Sequence, residues 1–319
     1  MSLDTIGILI FSGQRALVAH CLAHETPPLT AAEALAETRD YIQHVQSLRS
    51  FADADVDGSL VQPTLAIPSP IACPTDVFDS IADFARSQDP PVALHLHSPQ
   101  DASRVDLMRK CYPDYPSSAH LYYQHGLLDS RTIYPYFFRL EPTAFGLIKK
   151  SQAGVSLCPN DELTLDWDED AHGVFKPSEI KVRWCSDEPM SHVQLGLGTS
   201  CPSANSPSVL SVARQVLYMP LGGDSEFRKK SHIERLTDVF YMATLGGAEL
   251  CGLERRVGNF EPGKELDALI IAPRSPNIWW VGKESVTSRF QRWVQCGDDR
   301  DIYHVYVRGM RVGGAGPDC

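Results

Sequence analysis

The residues best suited to chemistry are the histidines of Leu94-His95-Leu96-His97. Side chains two apart in an extended strand share a face, so His95 and His97 present two imidazoles together. Neutral imidazoles ligate divalent metals, and either ring can take or give a proton near neutral pH. His20, near the end of an earlier apolar run, is a third nitrogen donor. Tyr134, Tyr136, Thr199, Ser200 and Cys201 lie at or just past later apolar runs and add hydroxyls and a thiol. Two chemistries fit this set. One is a metal site built from His95, His97 and His20. The other is metal-free proton transfer, lyase or cyclisation chemistry with histidine as base and tyrosine as acid. The plainer reading is a pair of strand histidines facing a polar cleft. Cys158, in Cys158-Pro159-Asn160, is a weaker candidate nucleophile.

These residues need a scaffold, and the chain spells one out. Apolar runs at 16–22, 60–67, 92–97, 132–137, 154–157 and 192–198 read as strands. Helical signals separate several of them. Thr30-Ala31-Ala32-Glu33 is a capping box that opens a helix running to about Arg49. Pro74 starts another, with Val77, Phe78, Ile81 and Phe84 at helical spacing up to Arg86. Further helices are expected at 104–110, 209–218 and 236–245, with a short one ending near Leu253. Strands alternating with helices mean a parallel sheet covered by helices, an α/β layer or barrel whose chemistry sits at the C-terminal strand ends. The last part differs: the turn Glu261-Pro262-Gly263-Lys264, the apolar run 267–272, and a hairpin over 301–312 indicate a small β-rich appendage. Residues 161–191 are polar and acidic and read as a long loop or insertion.

Composition narrows the partners. The 319 residues carry 29 Lys and Arg against 40 Asp and Glu, a net charge of −11, which argues against nucleic acid and acidic membranes. No apolar run reaches the ~18 residues a membrane span requires, and Asp4 precedes the first apolar run where a signal peptide would be basic. Nine cysteines without a Cys-x-x-Cys pair fit reduced thiols of a cytoplasmic protein.

Three C-terminal segments resemble guanine deaminase: Ala243-Thr244-Leu245-Gly246-Gly247-Ala248, Gly258-Asn259-Phe260-Glu261-Pro262-Gly263-Lys264-Glu265-Leu266-Asp267-Ala268, and Gly297-Asp298-Asp299-Arg300-Asp301-Ile302. Gly13-Gln14-Arg15-Ala16, Cys158-Pro159-Asn160 and Gly196-Leu197-Gly198-Thr199 agree with it. Guanine deaminase belongs to the amidohydrolase superfamily of metal-dependent (β/α)8 barrels. The resemblance implies an incomplete (β/α)8 TIM barrel over 1–253, lacking the first two β/α units, followed by a C-terminal β subdomain over 254–319 packed on it.

The family's zinc generates hydroxide from bound water. The resemblance places its fifth-strand histidine at His95 or His97, and the proton-shuttling glutamate then falls on Ser98 or Gln100. Its sixth-strand histidine falls on Tyr136, its eighth-strand aspartate on Ser200, and its base-reading arginine on Pro68. The first-strand His-x-His has no counterpart. These departures lead to the expectation of a guanine-deaminase-like protein that has lost zinc-dependent turnover and holds zinc weakly or not at all. A metal-independent enzyme with a repurposed pocket (His20, Tyr134, Thr199 and Ser200 binding substrate; His95, His97, Gln100 or Tyr136 catalytic) is one alternative. An active deaminase seen as an incomplete chain is another. Open barrel edges further predict a homodimer or a covering protein partner.

Overall fold

The structure, a computed structural model, describes residues 3–22, 30–48, 59–71, 73–99, 102–135, 142–159, 193–201, 206–218 and 231–315. Gln100, Tyr136, Asn160 and the 161–191 segment lie outside the described residues.

Helix α1 (Leu3–Phe11) leads into strand β1 (Ala16–Cys21), and α2 (Ala31–Ser47) follows. The expected capping box forms at α2: the Glu33 N–H donates to Thr30 Oγ1 at 3.3 Å, and the Thr30 N–H donates back to the Glu33 carboxylate at 2.9 Å. These bonds satisfy backbone donors that a helix start leaves open. Then come β2 (Val61–Ile67), α3 (Thr75–Ser87) and β3 (Ala93–Leu96). The spacing of Val77, Phe78, Ile81, Ala82 and Ala85 buries one face of α3. Next are α4 (Ala102–Cys111), α5 (Ser118–Gln124), β4 (Thr132–Pro135), α6 (Pro142–Ser151), β5 (Gly154–Leu157) and β6 (Leu195–Leu197). Helices α7 (Val209–Tyr218), α8 (His232–Ala243) and α9 (Leu245–Leu250) close this part.

The six strands form one parallel sheet in chain order, β1-β2-β3-β4-β5-β6. This is the expected succession of strand units. Among the described residues β1 and β6 do not pair with each other, so the sheet is an open barrel wall. Its outer face carries Leu65, Ile67, Leu94, Leu96, Val155 and Leu195, packed into one core with residues of α3, α5, α7 and α8. Its inner face carries smaller and more polar residues. Gly154 and Gly196 lie there because Leu250 of α9 occupies the space that their Cβ atoms would need, at 2.2 and 2.7 Å. Leu250 thereby fills the inner face beside these glycines.

The tail contains β7 (Ala268–Ile271), α10 (Val286–Cys296), β8 (Ile302–Val307) and β9 (Met310–Gly313), with the three strands in an antiparallel sheet. Helix α10 was not evident from the sequence. It packs toward α7, where Arg214 donates from Nε to the Val294 carbonyl at 2.6 Å and also bonds the Gly297 carbonyl. A guanidinium there meets the open carbonyls of a helix C-terminus.

Candidate functional site at the ends of the strands

The register of the sheet decides which side chains meet. Ala66 pairs with His95, and Cys21 pairs with Ala66, so Cys21, Ala66 and His95 share the inner face. His97 follows at the next inner position, and its ring stands 4.6 Å from that of His95, centroid to centroid. The expected same-face pair therefore exists. Burial first, and the adjacent His97 second, push the His95 imidazole down to about 4. At neutral pH His95 is uncharged and keeps a lone pair.

His20 does not join them. It pairs in register with Leu65, whose neighbour is Leu94, and so belongs to the outer face. Its ring stacks on Tyr41 of α2 at 5.1 Å and 25°, with Nε2 4.0 Å from the Glu37 carboxylate. The parity of Val18, His20 and Leu22 carried that signal, since Val18 and Leu22 are buried. Leu17 and Ala19 are apolar too, which blurred it. The inward residue at the end of β1 is Cys21, whose residue type alone gives no sign of it.

Tyr134 also turns outward. It pairs with Val155 on the outer face, is buried, and its hydroxyl meets Ser118 Oγ at 2.8 Å. It borders a small pocket between the strand ends and α4 to α6, lined by Ser98, Met108, Arg109 and Ser117 among others. The proposed pairing of an inner histidine base with a Tyr134 acid is thus not assembled. Thr199 and Ser200 follow β6. Thr199 Oγ1 accepts the Cys201 N–H at 3.3 Å, and Ser200 adopts φ +53°, an uncommon left-handed conformation for serine. Cys201 is exposed, whereas Cys158 is buried with Sγ 3.8 Å from Ser156 Oγ. Gly198 is glycine for a packing reason: a Cβ there would lie 2.4 Å from Ser156 Oγ and 2.6 Å from Cys158 Sγ.

Among the described residues no group of three or more His, Cys, Asp or Glu side chains could hold a metal ion. His95 and His97 offer two nitrogens, and a tetrahedral zinc shell needs more. With His20 turned away, the described side chains do not by themselves fit a resident zinc.

A parallel-stranded barrel wall with its candidate chemistry at the C-terminal strand ends is what sheet and site together define, and the comparisons place it. The amidohydrolase family model matches residues 9–312, and the chain belongs to that family. Guanine deaminase of Dictyostelium discoideum is 26% identical over 309 residues, covering 94% of this chain. The chain spans 63% of that relative's length. The solved guanine deaminase from C. acetobutylicum with bound guanine superposes with a TM-score of 0.72 at 18% identity, covering 97% of this chain and 68% of that one. An adenosine deaminase from Xanthomonas campestris with bound zinc gives 0.69 at 20% identity, covering 94% and 61%. These structural likenesses show the fold. Among the described residues no helix is long and apolar enough to cross a membrane.

Proposed function

We propose that this chain is a guanine-deaminase-type amidohydrolase: water enters, the exocyclic C–N bond of guanine breaks, and xanthine and ammonia leave. The observation that carries this reading is the His95–His97 pair. It stands inward at the end of β3, where the resemblance expects a metal-binding histidine, and burial keeps His95 neutral. Relatives bearing that activity in their names, matched along nearly the whole chain, support it. No step is assigned to zinc, because the described side chains do not complete a site for it.

The test uses the full chain, purified and supplied with zinc, with xanthine and ammonia measured together and zinc content determined on the same sample. Turnover on the scale of ordinary enzymes, about 1–1,000 per second, is expected. His95→Ala should lower it by about 100-fold or more. A folded, zinc-loaded chain that makes no xanthine would overturn the reading.

Ser200 favours a second reading, in which the fold is kept for binding and deamination is lost. It stands just past β6 with φ +53°, where the resemblance expects an aspartate ligand. Calorimetric binding of guanine without turnover would select it.

A further inference from the structure

Tyr122 of α5 is wholly buried, and its hydroxyl donates to the backbone carbonyl of His97 at 2.8 Å. The strand ladder does not reach that carbonyl: the last register pair between β2 and β3 is Ile67 with Leu96. The His97 N–H is held separately by the Ile67 carbonyl at 2.9 Å. Both sides of the His97 backbone are therefore fixed, one by the sheet and one by a helix.

The tyrosine is itself well seated. Its ring packs edge-on against Phe78 at 5.9 Å and Tyr134 at 6.5 Å. Burial, with the neighbouring Tyr134 next, holds its hydroxyl far above the usual tyrosine range, so it stays a donor at any ordinary pH. Four residues earlier on the same helix, Ser118 meets the Tyr134 hydroxyl at 2.8 Å. Residues four apart share a helix face. Helix α5 thus straps the ends of β3 and β4 with two hydroxyl contacts, and one of them ends on His97.

We infer that Tyr122 is a positioning residue for the His95–His97 pair, fixing through the His97 backbone where the two imidazoles stand. It works from the outer face while the rings lie on the inner face, so it does not touch a bound molecule. The inference rests on reading that pair as the site. It deepens that reading by naming what holds the pair in place.

A control is built into the fold. Tyr41 donates its hydroxyl to the Val18 carbonyl at 2.6 Å, the same kind of contact, at a strand whose end carries no imidazole pair. Ring-nitrogen NMR of the full chain labelled at histidine reads both imidazoles directly. In Tyr122→Phe the ring-nitrogen signals of both His95 and His97, read at one fixed neutral pH, should move. Tyr41→Phe should lower the melting temperature comparably and leave both rings unchanged. His97→Ala keeps the carbonyl that Tyr122 bonds, so in that background Tyr122→Phe should still move the His95 ring-nitrogen signals. If Tyr122→Phe does not fold, Ser118→Ala, which loosens the same strap, must move the same ring-nitrogen signals by a smaller amount. Unchanged imidazoles in Tyr122→Phe, or equal movement in Tyr41→Phe, overturns the inference. Because the readout is the rings themselves, absent guanine turnover would sink the deaminase reading and leave this one standing.

Discussion

At the start of β1, where the sheet meets the tail, Arg15 bonds the carboxylates of both Glu265 and Asp267, and Glu265 also accepts from Arg256 and Arg308. At the opposite end of the same sheet, the inner face offers the His95–His97 pair, Cys21 and the hydroxyl of Ser156. The first region binds its charged groups to one another across about 250 positions of chain. The second leaves its polar groups facing a half-open wall. Arg15, Glu265 and Asp267 are parts of a mutual lattice in which changing one takes a partner from others. His95 and His97 lie outside that lattice, and the bond from Tyr122 holds the His97 backbone, which any residue supplies.

Breaking the braced side should cost most. Asp301 is fully buried and accepts from the N–H groups of Arg274, Ser275 and Asp298 and from the Ser275 hydroxyl. Asp301→Ala leaves those donors without their acceptor and should lower the unfolding free energy on the order of 3 kcal/mol in urea titration. A loss below about 1 kcal/mol would mean that water replaces the carboxylate freely.

Glu265→Ala comes next, at about 2 kcal/mol, since it takes one carboxylate partner from each of three guanidinium groups. Here pH sharpens the comparison. Burial pushes the Glu265 carboxyl up, but the bonds from Arg308, Arg15 and Arg256 outweigh it and hold it at about 2. A folded value below the unfolded one, about 4.3, gives stability that is full above that pH and lost as pH falls toward 2. Melting temperature measured across this window should fall steeply in the parent chain and less steeply in Glu265→Ala.

Gly198→Ala presses a methyl against Ser156 and Cys158 and should cost about 1 kcal/mol, the lower end for overpacking. Smallest of all should be His97→Ala at neutral pH, within about 0.5 kcal/mol, because the ring is only partly buried on the open inner face. Chemical denaturation of these two variants side by side checks the order. A His97→Ala loss as large as that of Glu265→Ala would end the distinction between a junction held by charged side chains and a mouth held through its backbone. His95 adds an acid-side signature. Its depressed value means stability lost as pH falls from about 6.5 to about 4, a slope that His95→Gln should remove.

Much of the scaffold was legible because it is written in local patterns. The Thr30–Glu33 box, the apolar period of α3 and the alternation of strand and helix each follow from short-range geometry. Helix α5 was not legible: Ser118–Gln124 is short and rich in His and Tyr, which favour helix only weakly, and packing against β3 and β4 imposes its form. The same helix supplies Tyr122, whose contact with His97 spans 25 positions. Residue type alone groups His20 and Tyr134 with the polar residues at the strand ends. The register overruled both, since shifting one position along a strand reverses the face.

The sequence by itself determined the family, the order of the strands, and the pairing of His95 with His97, because these depend on neighbours or on motifs that persist along the chain. Tertiary structure decided that Cys21 rather than His20 faces inward, that Tyr134 belongs to the core, and that Arg15 reaches Glu265 and Asp267. Those outcomes depend on strand register and on contacts between distant segments, and both are set only when the sheet assembles against its helices.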